Sequence, residues 1–456
     1  MTTSDSAVSP APDRLDIPFG DPLVRTLFPP LPKGVHWGLE RMERALTALG
    51  DPHRAYATIH VGGTNGKGSV TSTVASVLLR AGHAAGCYTS PHLCSFRERM
   101  LVDGRPLRVA ALEAYAADVR EPIVRYRLTF FEAVTLLAMH AFREEGVEIA
   151  AMEVGLGGRL DATNVLRPEV TAVTNVAMDH ADFLGNTLRQ IAREKAGIMK
   201  EGVPFVTAER DPEVRELFSV LAAERGAPMV SVESPTDAEV QVEDDHTSLT
   251  LNTARWGELD VRTPLVGYHQ ATNAGLAVTV LEQLGDPWRP TAEQVVEGIR
   301  SVVYHGRDEV QRIDGRTWLF DVAHNTAGIL SLVDTIDRLD LPRPLVALVG
   351  VLGDKDWQRM LPPLLSRTDA AFLTEPPSAP AERRWDPQEA ADRVDTLTVV
   401  RVVEDFPRAL RRASERAGKG TVVVTGSVHT VGSAMRLLGI DPLGEASGEP
   451  GDGGRG

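Results

Sequence analysis

The stretch His60-Val61-Gly62-Gly63-Thr64-Asn65-Gly66-Lys67-Gly68-Ser69-Val70 decides how this chain is read. Before it, residues 57–61 (Ala-Thr-Ile-His-Val) make a short buried strand. After it, Val70, Val74, Val77 and Leu78 fall at helical spacing up to Arg80, and Gly82 supplies a C-terminal cap. A strand, a glycine-rich turn and a helix N-terminus form an anion site, because unpaired backbone N–H groups and the helix dipole both point into the turn. Lys67 adds a full positive charge where the phosphates of a nucleotide would lie. The run Gly63, Thr64, Asn65, Gly66, Lys67, Gly68, Ser69 therefore reads as a phosphate-binding loop. It departs from the strict pattern G-x-x-x-x-G-K-[ST] twice, with Val61 at the first glycine position and Gly68 after the lysine.

Outside this loop, 456 residues suffice for two or three domains with full cores, and 43% hydrophobic against 24% charged residues is a globular balance. A formal charge of −15 argues against nonspecific binding to nucleic acid or to an anionic membrane. An anionic substrate must then meet a local basic patch. Cys87 and Cys94 are too few for a disulfide framework and have no metal-ligand partners nearby, so they read as reduced thiols in a cytoplasmic protein. Residues 1–16 are rich in Ser, Pro and Ala without the apolar core of a secretory signal, and no apolar run reaches membrane-spanning length.

Residues 1–16 and 441–456 are expected to be disordered. After a helix carrying Leu39, Met42, Leu46 and Leu49, strand and helix signals alternate to about residue 200. Such alternation implies a mainly parallel sheet with helices on both faces and ligands at the C-terminal strand ends. Five short strands between 204 and 264 read as a small β-rich elaboration, followed by helices over 268–284 and 292–302. A second, smaller α/β unit with Rossmann-like alternation begins near Val310. The expected organisation is an ATP-binding-type domain over 17–303 and a C-terminal domain over 304–440.

Three further stretches close predicted strands of the first sheet: Thr89-Ser90-Pro91-His92, the run from Glu153 to Asn164, and Asn175 to His180. Strand ends of one sheet converge, so the Ser90 hydroxyl, the Glu153 carboxylate and the His180 imidazole can share one ion. Magnesium takes few protein ligands and completes its shell with water and phosphate oxygens. Each residue alone has an ordinary reading: Ser90 caps a turn, Glu153 pairs with an arginine, His180 starts a helix. Their joint placement after a phosphate loop favours the ion.

At these residues a family becomes recognisable. The loop, the run Glu153 to Asn164 and the stretch Asp179-His180 through Arg193-Glu194-Lys195-Ala196-Gly197-Ile198 resemble folylpolyglutamate synthase and the bifunctional dihydrofolate synthase, members of the Mur-ligase group of ATP-dependent amide-forming enzymes. His269-Gln270-x-x-Asn273, Gly306-Arg307, Asp321-Val322-Ala323-His324-Asn325, Gly353-Asp354-Lys355-Asp356 and Thr425-Gly426-Ser427 extend the resemblance from about residue 38 to 438.

The resemblance implies ATP and two magnesium ions: Ser90, Glu153 and His180 on one, and Lys195, carbamylated on its amine, on a second. CO₂ would convert that cation into an anionic oxygen ligand. It further implies that Asn273, Arg307 and Asp321 contact the nucleotide and that His324 and Asp321 approach from the second domain on closure. Phe131, Asp161 and Ala162 match a pterin site, with an aromatic face for stacking and a carboxylate for ring N–H donors. The implied substrates are ATP, L-glutamate and dihydropteroate or a folate, with no nucleic acid or membrane partner and a monomeric chain. The chain departs from the family pattern at Val322, for glycine; at Tyr304-His305, for Trp-Pro; at His429, where an aromatic residue is common; and at Arg97, for asparagine. A cell-wall Mur ligase is disfavoured, because a nucleotide-sugar domain of roughly a hundred residues has no room before a loop at residue 62. An inactive nucleotide-binding regulator is disfavoured because Lys67, Glu153, His180 and Lys195 are all present.

Overall fold

The computed structural model describes residues 21–32, 34, 36–232 and 239–444. The expected disorder at 1–16 and 445–456 falls outside these residues, whereas Asp441 to Gly444 form a turn closed by a 3.1 Å bond from the Gly444 N–H to the Asp441 carbonyl.

Eight strands build the first sheet: β1 (Ala57–Gly62), β2 (Ala85–Tyr88), β3 (Met100–Val102), β4 (Arg105–Pro106), β5 (Ile149–Glu153), β6 (Val170–Val173), β7 (Phe205–Thr207) and β8 (Met229–Ser231). Their order is β4-β3-β2-β5-β1-β6-β7-β8, parallel except for the β2-β3-β4 edge. The strands nearest the centre are buried on both faces, as parallel strands under helices must be. The register sets Val61 beside Glu153 of β5 and Gly62 beside Val173 of β6. The phosphate loop thus leaves β1 level with the ends of its two neighbours. The helix Lys67–Arg80 that follows is buried over most of its length, with Val70, Val74, Val77 and Leu78 fully enclosed.

The β-rich elaboration is smaller than the sequence reading had it. Residues 205–207 and 229–231 join the parallel sheet as β7 and β8. The helix Pro212–Arg225 carries the crossover between them, started by Asp211, whose carboxylate accepts from the Glu213 and Val214 N–H groups. That helix was missed because its apolar stripe is interrupted by charges, although Asp-Pro is a strong start signal. The remaining strands, β9 (Val240–Val242), β10 (Thr247–Thr253) and β11 (Gly257–Thr263), form an antiparallel sheet. Its apolar face, Val240, Leu249, Leu259 and Val261, shares a core with Leu276 and Val280 of the helix Tyr268–Glu282.

The third sheet contains β12 (Glu309–Ile313), β13 (Arg316–Phe320), β14 (Leu345–Val349), β15 (Ala370–Leu373), β16 (Val399–Val402) and β17 (Thr421–Thr425) in the order β12-β13-β17-β14-β15-β16. Only β12 is antiparallel. Both edge strands, β12 and β16, escaped the sequence reading because half-exposed polar residues dilute their pattern. Among the described residues no helix is long and apolar enough to cross a membrane.

Candidate active site

The C-terminal ends of β2, β5, β1 and β6 lie side by side, and the four loops leaving them carry most of the expected site. Gly66 takes φ +82° at the start of the helix, and a Cβ there would stand 2.5 Å from Asn273 Oδ1. Asn273 is therefore pressed against the loop, held by its own bond to Gln270 Oε1 at 2.9 Å. Gly68 explains the second departure from the strict pattern. A Cβ at this position would lie 2.0 Å from the Tyr304 hydroxyl, so that ring occupies the space a serine or threonine would need. Tyr304 in turn carries Arg307, whose guanidinium sits 4.7 Å above the ring and donates to its hydroxyl at 3.1 Å.

Lys67 Nζ donates to the Thr64 carbonyl at 3.0 Å. The Ser69 hydroxyl is buried with no hydrogen-bond partner among the described residues. Glu153 is 3% exposed and accepts the Ser90 N–H at 2.8 Å. Burial pushes its carboxyl up, opposed by the charges of Lys67, Arg307 and Arg99 and by the Ser90 bond. Burial likewise lowers His180 to about 4, leaving a neutral imidazole. Its backbone is left-handed (φ 51°), which turns the side chain at the start of a short helix. Ser90 and Glu153 suit magnesium, since carboxylate and hydroxyl oxygens are hard ligands and a buried carboxylate needs a cation; His180 is the softer member of the set. Among the described residues no three His, Cys, Asp or Glu side chains form a ready cage.

Lys195 ends the helix Leu188–Lys195, is buried, and donates to the Gly63 carbonyl at 2.6 Å. Burial, reinforced by the Lys67 charge, lowers its amine to about 7. A lysine in this state is a nucleophile at neutral pH rather than an inert cation.

The sequence reading gave Asp179 no role, yet it joins the two α/β units. Its carboxylate receives Lys355 Nζ at 2.6 Å, Asn325 Nδ2 at 3.0 Å and His324 Nε2 at 3.2 Å, all from the C-terminal unit. Burial pushes this carboxyl up, but His324 and Lys355 outweigh it and hold it well below the ordinary range. Asn325 also exchanges two amide bonds with Asn65 of the loop, at 3.2 and 2.9 Å. Asp179, Asn325 and Lys355 were visible as strand-end residues in quoted motifs; what the sequence did not give was that they meet. Asp321 lies apart from this cluster. Its carboxylate accepts the Ala323 N–H at 2.8 Å and the Asp308 N–H at 3.1 Å.

A third group surrounds the loop after β5. The Phe131 ring packs where a Cβ on Gly155 would stand, 2.2 Å away, and lies 6.5 Å from the Tyr88 ring. Ala162 is buried beside it. Asp161 Oδ2 accepts from the Leu156 N–H at 2.8 Å, and Oδ1 from the Thr163 N–H at 3.0 Å and hydroxyl at 2.5 Å. The Thr163 oxygen also meets His60 Nε2 at 2.8 Å. Thr163 spends its single proton on Asp161, so His60 must donate from Nε2. Burial lowers His60 to about 3, consistent with that neutral tautomer.

Residues 61–281 match the Mur ligase middle domain and residues 306–428 the Mur ligase glutamate ligase domain. A dihydrofolate synthase/folylpolyglutamate synthase of Escherichia coli is 33% identical, with 89% of this chain and 92% of that protein covered. This chain belongs to the folylpolyglutamate synthase and dihydrofolate synthase family of Mur ligases. The crystal structure of Mycobacterium tuberculosis folylpolyglutamate synthase complexed with ADP and AMPPCP superposes with TM-score 0.80 at 32% identity, covering 89% of this chain and 96% of the other. A probable bifunctional folylpolyglutamate synthase/dihydropteroate synthase of Haloferax volcanii is 35% identical over 87% of this chain, which spans 48% of that longer protein.

The departures from the family pattern leave this Mur ligase's loop intact. Val322 is buried and donates its N–H to the Gly306 carbonyl at 3.1 Å, so the backbone contact at that position needs no glycine. His429 is buried against the Ser378 hydroxyl at 3.0 Å, and burial lowers it to about 4. Arg97 donates from Nε to the Leu107 carbonyl at 2.7 Å, tying the loop after β2 to the sheet edge.

Proposed function

We propose that this chain joins L-glutamate to the free carboxylate of dihydropteroate and of reduced folate polyglutamates, with ATP supplying the activation. The observation that carries the reading is the assembly at Asp179. There the phosphate loop, the β6 end and the C-terminal unit's His324, Asn325 and Lys355 meet around one carboxylate, closing a cleft between two units.

A carboxylate does not acylate an amine at neutral pH, because oxide is too poor a leaving group. The substrate carboxylate would attack the γ-phosphoryl group of ATP, giving an acyl phosphate and ADP. The glutamate amine would then attack the acyl carbon, and the tetrahedral intermediate would expel phosphate. In this reading Gly63 to Ser69 cradle the phosphates through backbone N–H groups, and Lys67 turns from the Thr64 carbonyl to a phosphate oxygen. Arg307, held on Tyr304, brings a second cation, while Asn273 and Asp321 contact the nucleoside. Ser90, Glu153 and His180 would hold one magnesium and a carbamylated Lys195 a second, ions that neutralise phosphate charge when bound. Carbamylation needs a neutral amine, which Lys195 offers, and the remaining N–H can keep its bond to Gly63. Phe131, Asp161 and Ala162 would receive the pterin. The two donors from Thr163 and one from Leu156 aim the Asp161 carboxylate. His324 would take a proton from the incoming amine only after its Nε2 gives up its own proton and leaves the Asp179 carboxylate, because Nδ1 already donates to the Val322 carbonyl at 3.0 Å. Both activities rest on the pterin-site residues and on the paired names of the Escherichia coli relative. A reducing cytoplasm suits the two free thiols, Cys87 and Cys94.

The test incubates the chain with MgATP and labelled glutamate, separately with dihydropteroate and with tetrahydrofolate, and weighs the products. Addition of one glutamyl residue to each acceptor is expected. Addition to tetrahydrofolate alone reduces the reading to a folylpolyglutamate synthase, and addition to neither overturns it.

A further inference from the structure

Asp308 was not singled out by any motif, and its carboxyl is fully buried beside a second acidic group. It follows Arg307 with a left-handed backbone (φ 47°) and is 0% exposed. Three elements face it. From the helix Thr326–Arg338, the Thr335 hydroxyl lies 2.6 Å from Oδ2, with the charge of Asp334 close by. From the helix Tyr268–Glu282, His269 Nδ1 stands 3.8 Å from the same oxygen. From the end of β13 comes Asp321, whose carboxylate already accepts the Asp308 N–H at 3.1 Å and whose charge acts on the Asp308 carboxyl. Oδ1 of Asp308 finds no donor among the described residues.

An ionised carboxylate oxygen, fully buried, without a donor and beside a second carboxylate, is strongly disfavoured. The same oxygen carrying a proton has a natural acceptor in Asp321. His269 is a poor counter-cation, because desolvation lowers its affinity for a proton and it stands 3.8 Å away. We propose that Asp308 works as a neutral carboxylic acid whose O–H is donated to the Asp321 carboxylate, fixing the direction in which Asp321 meets the nucleotide. Three donors then hold Asp321: the Ala323 N–H, the Asp308 N–H and the Asp308 O–H. Burial first, and the Asp321 charge second, raise the Asp308 carboxyl well above the usual range. Asp308 is a positioning residue in this scheme. The proposal rests on the reading of Asp321 as a nucleotide contact.

The experiment compares the full-length wild type with Asp308→Asn, Asp308→Ala and Asp321→Ala, measuring KM for MgATP and Tm from acidic to alkaline pH. An asparagine amide donates at every pH. Wild-type KM for ATP is expected to rise as Asp308 ionises opposite Asp321, and the Asp308→Asn profile to stay flat. Asp308→Ala should raise KM about tenfold while wild-type Asp308 is protonated, the ratio equivalent to about 1.4 kcal/mol, and the gap should narrow as Asp308 ionises. For stability, a carboxyl with a raised folded pKa keeps a proton that the unfolded chain releases, so its contribution falls as pH climbs from the ordinary Asp range to the folded pKa. The Tm advantage of Asp308→Asn over wild type should therefore widen through that window.

A KM for Asp308→Asn no better than that of Asp308→Ala overturns the donor role. So does an alkaline rise that survives in Asp308→Asn, which would put the titration on another group. Parallel Tm slopes in wild type and Asp308→Asn overturn the protonated state without needing the alanine variant to fold. An unchanged KM in Asp321→Ala overturns the nucleotide reading of Asp321 itself, leaving the Tm comparison to judge Asp308.

Discussion

Asp179→Ala should open the molecule as well as weaken it. Asp179 and Lys355 have side chains 7% and 5% exposed, their charged atoms are 2.6 Å apart, and they belong to different α/β units. Removing one partner of a buried pair costs about 3–5 kcal/mol, because the other charge is left without compensation. Here the lower end applies. Lys355 sits at a unit boundary and can reach water if the units part, and that escape is the opening itself. Losing about 3 kcal/mol of docking energy lowers the closed-to-open ratio more than a hundredfold. His324 and Asn325 lose their shared acceptor at the same time, so of the bonds in this cluster only the amide exchange with Asn65 still crosses between the units. The assay is small-angle scattering of the variant with and without a non-hydrolysable nucleotide, alongside urea melts and steady-state kcat. The expected result is a larger radius of gyration without ligand, a lower unfolding midpoint and a kcat reduced at least tenfold. Lys355→Met should reproduce part of this, and the double variant should show coupling of about 1 kcal/mol or more. A scattering profile identical to wild type, with stability within about 0.5 kcal/mol, the range of an ordinary surface change, would refute the reasoning.

Three further outcomes are expected. Lys67→Ala should abolish glutamate addition with Tm nearly unchanged, since its only described bond is to Thr64 of the same loop; near wild-type ATP-dependent turnover would count against the loop assignment. Lys195→Ala should lose most activity and recover part of it with added short carboxylates, and a high-resolution crystal structure showing a bare amine at Lys195 would count against the carbamate. Thr163→Val should raise KM for dihydropteroate several-fold while leaving KM for ATP alone, because it breaks the His60–Thr163–Asp161 chain at a cost of about 1–3 kcal/mol. Equal effects on both KM values would show a general packing defect instead.

How far the sequence carried the fold depends on how each element is buried. β1, β2 and β5 were legible nearly to the residue because they are short, mostly apolar, almost wholly buried runs that end in glycine or polar punctuation. β12 and β16 were not, because an edge strand needs only one good face and its pattern fades into loop. The helix Val109–Arg125 runs past Pro122, where propensity predicts an end, because Leu112, Ala116, Val119 and Ile123 continue one buried stripe and packing overrides the lost N–H. The site divides in the same way. Loop residues that act through backbone geometry were readable, since glycines at fixed spacing are the geometry. Asp179, Asn325 and Lys355 act by meeting across two units, and no local pattern encodes a meeting.

Asp308 shows where such reading stops. In the sequence it is one more acidic residue in a chain of charge −15, and nothing in Gly306-Arg307-Asp308 separates it from a solvated turn. Its character comes from three enclosing elements that start at residues 268, 316 and 326. Gly68 is the reverse case. The missing hydroxyl after Lys67 looked like a defect in the loop, and the space it leaves is filled by Tyr304, which holds Arg307 on its ring and hydroxyl. The irregularity is thus the point at which the start of the C-terminal unit packs against the loop. A ligase that assembles its site from two units can give up the loop hydroxyl, provided that Ser90 and Glu153 on the neighbouring strand ends take over the metal.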